Sequence, residues 1–240
     1  YNGPSSLEIR LEYVAPVGAE SPDMPIIPYV IPGRTGTMMH PEDLAILYAE
    51  HPNVSAVKEA TGDYENMART RAVCGDEYTI LSGDDDRTVE MMRRSDIRAA
   101  GVISVMSNIF PGPIQRLTQA ITSGDEATAD KLANGMAPLF SMVGVTTTET
   151  CAHGTVQCKS RNPVPVKMLM NLLGMPSGPC RRPLGRMTRQ GADAMIGAAR
   201  QVQANDPSLL GPIGDFFNVD IEARLHDAAA VDELIYTSSY

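Results

Sequence analysis

A lysine closes the short apolar run Val54-Ser55-Ala56-Val57-Lys58, a setting in which lysine is rare unless it is used. An amine held among apolar side chains has its charged form disfavoured, so its pKa falls and the free base can attack a carbonyl carbon. That is what Schiff-base chemistry requires. The alternative is a lysine just beyond its strand, its stem on the surface and its ammonium in water. Tyr29, at the matching edge one run earlier, is a phenol placed to move a proton as a carbinolamine collapses. It is equally readable as an amphipathic tyrosine with a packed ring and a wet hydroxyl. Arg34 follows in Pro32-Gly33-Arg34-Thr35-Gly36, where two glycines and a proline bend the chain and bring a guanidinium over the strand ends. A guanidinium grips a carboxylate through two parallel hydrogen bonds, although an arginine alone in a surface loop needs no such partner.

Such groups need a rigid frame, and the chain from residue 24 to about 122 supplies an alternation of element types. Short apolar runs at Met24–Ile31, Val54–Lys58, Tyr78–Gly83 and Ala100–Val105 are each followed by a helical pattern. The helices begin near Pro41, carry Met67 and Val73, carry Val89 and Met91, and span about Pro113 to Ile121. Runs that are apolar throughout, separated by single amphipathic helices, mean βαβ units and a parallel sheet covered on both faces. A doubly wound sheet and a (β/α)8 barrel both satisfy this pattern. In either, the carboxyl ends of the strands hold the site, and here those ends carry Tyr29, Lys58, Ser82-Gly83 and Ile103-Ser104.

After residue 123 no further strand is expected. The period predicts helices over 125–143, Val164–Leu173, Thr188–Asn205 and Asp220–Ile235, with a loop over Leu209–Gly214 and a fraying tail from Tyr236. The expected organisation is therefore 1–123, 124–205 as a helical region, and 206–240 as an extension.

The composition excludes several classes. A chain of 240 residues with 43% hydrophobic and 20% charged residues is globular. Its net charge of -9 and pI near 4.9 disfavour nucleic acid and anionic lipid as partners. No apolar run is long enough to span a bilayer. Four irregularly spaced cysteines (Cys74, Cys151, Cys158, Cys180) suit reduced thiols in a cytoplasmic protein. The Cys151, His153, Cys158 cluster lacks the paired spacing of a zinc site, so no metal is expected.

Taken together, Tyr29 with Pro32-Gly33-Arg34-Thr35-Gly36, then Lys58-Glu59-Ala60-Thr61-Gly62-Asp63, Leu81-Ser82-Gly83-Asp84-Asp85, Gly101-Val102-Ile103-Ser104-Val105 and Asn162-Pro163-Val164-Pro165-Val166-Lys167 resemble the dihydrodipicolinate synthase family of the class I aldolase superfamily. The resemblance implies a (β/α)8 TIM barrel followed by helices. It implies that Lys58 forms a Schiff base with pyruvate, whose enamine attacks aspartate semialdehyde, and that no cofactor is needed. Tyr29 matches the proton-relay tyrosine and Arg34 the arginine that meets the semialdehyde carboxylate. Gly83 and Ile103 match backbone positions lining the pyruvate pocket. Tyr1, in Tyr1-Asn2-Gly3-Pro4, matches a second tyrosine that crosses a subunit interface in a homotetramer.

Three departures accompany it. The sequence begins at the fourth strand's end, so only the C-terminal half of the barrel, units five to eight, is expected, without the family's Thr-Thr-Gly-Glu loop. An open half-barrel leaves two sheet edges and an apolar interior uncovered, so a fragment, inert on its own, is one alternative. Val30 stands where the family usually has asparagine. Thr146–Arg161 is longer than the usual connection and reads as surface elaboration. N-acetylneuraminate lyases and keto-deoxy-sugar aldolases share the lysine and tyrosine and are the other alternative, but they generally lack the Gly-Arg-Thr-Gly loop.

Overall fold

Proline limits the first predicted strand. Pro25 and Pro28 have no N–H to give a ladder. In the computed structural model, which describes residues 3–237, the run from Met24 to Ile31 is accordingly a strand only at β1 (Tyr29–Val30). β2 (Ala56–Glu59), β3 (Thr79–Ser82) and β4 (Gly101–Val102) follow, paired in parallel in the order β1-β2-β3-β4. The register sets Tyr29 beside Lys58, Lys58 beside Leu81 and Leu81 beside Gly101. Main-chain bonds carry the alignment past the strand ends: Lys58 N–H donates to Pro28 O at 2.9 Å, Ala60 N–H to Val30 O at 2.9 Å, and Gly83 N–H to Glu59 O at 2.7 Å. Among the described residues the four strands do not close on themselves.

A helix that the periodicity did not predict precedes the sheet. α1 (Ser6–Ile9) starts from a capping box, with Ser5 and Glu8 satisfying each other's main-chain N–H groups. It runs through a π-helical stretch, Arg10–Val14, into α2 (Ala15–Glu20). Arg10 Nε donates to Asp43 Oδ1 at 2.7 Å and ties this segment down. Arg34, expected in a loop, lies in the single helical turn α3 (Pro32–Thr35), which ends at Gly36 with φ 67°. α4 (Pro41–Glu50), α5 (Tyr64–Cys74) and α6 (Thr88–Arg93) complete the alternation with the strands.

The chain divides into two units, one of residues through 104 with 121–124, the other of residues 105–120 and 125 onward. The first has its own core of Leu44, Leu47, Val54, Val57, Met67, Tyr78, Ile80, Met91 and Ile97. Arg71 is built into it. Its Nε donates to Ile97 O at 2.9 Å and its Nη1 to Tyr78 O at 2.7 Å and Gly75 O at 2.7 Å, joining the end of α5 to the segments that lead into β3 and β4.

The second unit is mainly helical, with α7 (Pro111–Ser123) up to residue 120, α8 (Glu126–Phe140), α9 (Val164–Leu172) and α10 (Arg189–Asn205), all close to the predicted spans. α10 packs on α8 and α9 through Ala192, Met195, Ala199 and Val202, all buried. Three expectations are corrected here. Strands do not stop at 123: β5 (Val145–Cys151) and β6 (Gly154–Ser160) form an antiparallel hairpin from the segment expected as surface connection. Its β-branched Val145-Thr146-Thr147-Thr148 run suits a pleated, half-buried surface, but too few positions are apolar to signal a strand. Leu209–Gly214 is not a loop. Leu209 and Leu210 are buried, and α11 (Gly211–Phe217) begins within it. Asp220–Ile235 is two helices, α12 (Ile221–His226) and α13 (Ala228–Leu234), because the Asp227 carboxylate caps Ala230 N–H at 3.0 Å and starts a new helix. Of the expected tail, Tyr236 donates its N–H to Met187 O at 3.0 Å, and 238–240 lie outside the described residues.

Candidate active site

The first unit gathers the strand-end residues at one edge of its sheet. Lys58 is half-buried, and its Nζ lies 4.0 Å from the centroid of the Tyr29 ring, the neighbour given to it by the β1–β2 register. Burial lowers the Lys58 pKa from the ordinary lysine value, while the carboxylates of Asp85 and then Asp84 push it back up. The face of the phenol ring also favours the ammonium form. Burial prevails. The Tyr29 phenol moves upward instead, through burial and then the Asp84 carboxylate, with the Arg34 guanidinium opposing. Tyr29 therefore keeps its proton at neutral pH and remains a donor, although 46% of its surface is exposed.

Gly83 forms the wall behind the lysine. A Cβ there would meet Ala60 Cβ at 2.8 Å, Glu59 O at 3.1 Å and Lys58 Cε at 3.1 Å. Only a residue without a side chain lets the turn after β3 come this near the lysine stem. Ile103 N–H donates to Ser82 O at 2.9 Å, which carries the chain beyond β4 along the same edge, and the Ile103 side chain is exposed. Arg34 is exposed on α3, near enough to influence the Tyr29 phenol. Tyr1 lies outside the described residues.

Composition and motif order gave these positions but not the polar shell under them. Glu59 is 1% exposed, and its carboxylate accepts Thr61 N–H at 2.7 Å and Asn66 Nδ2 at 3.2 Å. Burial raises its pKa against those hydrogen bonds. The buried Ser82 hydroxyl donates to Asp84 O at 2.9 Å and accepts from Thr88 Oγ1 at 3.1 Å. Asp85, also buried, accepts the Ser104 hydroxyl. The Glu59 and Ser82 bonds brace the turns after β2 and β3 internally, the Asp85–Ser104 bond joins the turn after β3 to the one after β4, and the Gly83 N–H on Glu59 O joins β3's end to β2's. The signal in the sequence was a Lys-Glu pair ending an apolar run and three aspartates directly after Gly83.

Among the described residues, no three His, Cys, Asp or Glu side chains gather to hold a metal, and no helix is long and apolar enough to cross a membrane. A groove of about 1290 Å³ in the second unit, walled by Lys167, Arg182, Arg186 and Ile235 among others, contains none of the strand-end residues.

The family model for the dihydrodipicolinate synthetase family matches residues 1–202. The chain belongs to that family. Among its members, a protein of Methanoculleus marisnigri named 4-hydroxy-tetrahydrodipicolinate synthase is 37% identical over 166 residues, 69% of this chain and 51% of the relative. Among solved structures, dihydrodipicolinate synthase from Cyanidioschyzon merolae with lysine bound superposes with a TM-score of 0.71 at 30% identity, covering 84% of this chain and 62% of that one. The 4-hydroxy-tetrahydrodipicolinate synthase of Methylacidiphilum fumariolicum SolV gives 0.74 at 25% identity, covering 90% and 65%. The chain thus spans about half the length of the Methanoculleus relative. The dihydrodipicolinate synthetase family implies a TIM-barrel fold, and the α/β alternation of the first unit agrees with it.

Proposed function

We propose that this chain carries the Schiff-base half of an enzyme condensing pyruvate with aspartate semialdehyde to 4-hydroxy-tetrahydrodipicolinate, a step toward diaminopimelate and lysine. The observation that carries the reading is the half-buried amine of Lys58, its pKa lowered by burial, set 4.0 Å over the Tyr29 ring. The free amine attacks the ketone carbon of pyruvate. As the carbinolamine loses water, the Tyr29 hydroxyl passes a proton to the departing oxygen. The imine draws electrons from the neighbouring methyl, which gives up a proton and leaves an enamine. The enamine carbon attacks the aldehyde, whose oxygen takes a proton, while Arg34 holds the semialdehyde carboxylate. The adduct's own amine then replaces Lys58 on the imine carbon, closing the ring and freeing the lysine. Backbone at Gly83 and Ile103 lines the pyruvate end, and Tyr1 would join the proton relay across a subunit interface. The imine itself is the electron sink, so the reaction needs no cofactor or metal.

In this reading the sheet is strands five to eight of an eight-stranded barrel, within 1–123, followed by the helical region 124–205 and the extension 206–240, in a cytoplasmic homotetramer. Its support is the family match together with the share of its relatives that the chain spans. The test is borohydride trapping with pyruvate on the full-length protein, read by intact mass and peptide mapping. The wild type is expected to gain one reduced pyruvyl adduct on Lys58 and Lys58→Ala none. An unmodified wild type, or an adduct that survives in the variant, overturns the proposal.

A further inference from the structure

The β5–β6 hairpin takes no part in the chemistry above. β5 is anchored: Val145 is buried, and the buried Glu149 carboxylate accepts the hydroxyls of Thr147 and Thr188, each at 2.7 Å. β6 is its opposite. Gly154, Thr155, Val156 and Gln157 are exposed in succession, and Lys159 is exposed beyond them. The sheet has only these two strands, and among the described residues β6 pairs with β5 alone. Alternate residues of β6 therefore turn N–H and C=O groups outward along seven residues, which is a template for another strand. Edges of this kind are usually blunted by proline, a bulge or several charges. β6 has one lysine, near its end.

We propose that this edge pairs antiparallel with the β6 edge of a second copy, about a twofold axis at Gln157. The sequence is self-complementary in that register. Gln157 faces Gln157, and an amide has both the donor and the acceptor that a symmetric pair requires. Val156 faces Cys158, an apolar contact, and Thr155 faces Lys159. The two lysines, four residues out of step, are offset by roughly 14 Å along the strands at a rise of about 3.4 Å per residue, so like charges do not oppose one another. A foreign strand would match the backbone but not this symmetry. One strand pair buries less than the roughly 1,000 Å² of a stable interface, so the contact is reversible and adds one twofold step to whatever assembly the protein already forms. It is independent of the reaction proposed above.

Sedimentation velocity across a concentration series of the full-length protein tests it, with Gln157→Lys and Gln157→Glu. Position 157 is exposed, so both variants are expected to melt as the wild type does. Each places like charges across the axis and is expected to lose the association step. An equal mixture of the two restores it, because lysine then faces glutamate. A wild type without such a step, variants that associate as the wild type does, or a mixture that fails to recover would overturn the pairing.

Discussion

Replacing Gly83 by alanine isolates the part played by close approach at the lysine. The new Cβ would lie 2.8 Å from Ala60 Cβ and 3.1 Å from both Lys58 Cε and Glu59 O. Carbon atoms rest about 3.5–4.0 Å apart, so the turn and the lysine stem must separate by several tenths of an ångström. Two of the three obstacles yield little: the Glu59 carbonyl ends a strand paired on both sides, and the Ala60 methyl follows it on a residue whose N–H is held by Val30 O. Overpacking of this kind costs about 1–3 kcal/mol, and a domain of this size loses about 2–4 °C in Tm per kcal/mol. A fall of roughly 2–12 °C is therefore expected. The amine is displaced as well, and a misplacement of up to about 1 Å costs up to roughly 100-fold in rate. Borohydride trapping with pyruvate should accordingly slow by about 10- to 100-fold. Gly33→Ala is the control, since a Cβ there meets nothing within 4 Å and its backbone is not left-handed. If Gly83→Ala traps and melts like Gly33→Ala, the close approach does not position the lysine.

Asp85→Asn keeps an oxygen acceptor for the Ser104 hydroxyl and removes a carboxylate that holds the Lys58 pKa up. Without that charge the ammonium gives up its proton at lower pH, so the acid limb of the trapping-rate profile moves to lower pH. A limb that stays in place or moves upward contradicts the assigned electrostatics. Arg71→Met strands the buried carbonyls of Ile97 and Tyr78, at about 1–3 kcal/mol each. Urea unfolding should lose roughly 2–6 kcal/mol, and a loss under about 1 kcal/mol would show that water or local movement replaces the guanidinium.

The α/β alternation was legible because the strands fall in short, mostly apolar runs, such as Val54-Ser55-Ala56-Val57, each followed by a helical pattern. The strand-end positions of Tyr29, Lys58 and Gly83 followed from the same runs. What escaped was held by polar groups. The hairpin is anchored by Glu149 and the hydroxyls of Thr147 and Thr188 rather than by an apolar stripe, so its residues resemble those of a loop. The break between α12 and α13 is one aspartate accepting one N–H, which a periodicity of about 3.6 residues does not register. In the shell beneath the site, Glu59, Ser82 and Thr88 find partners within seven residues of themselves, in turns without a repeating pattern, and Asp85 finds Ser104 nineteen residues away, so no periodicity announces these pairings. The π-helical stretch at Arg10–Val14 has no sequence signature that we can name.

The alignment of β1 on β2 has a further consequence. Two residues make up β1, and it is held in step by Pro28 O and Val30 O receiving the N–H groups of Lys58 and Ala60. Neighbouring side chains on a strand face opposite ways, so sliding one strand by a single residue would present Glu59 to Tyr29 and turn Lys58 away. The edge would then offer an acid where it now offers an amine, with every residue type unchanged. Whether this amine stands beside a phenol is thus decided by counting along the main chain as much as by the residue types that line the edge.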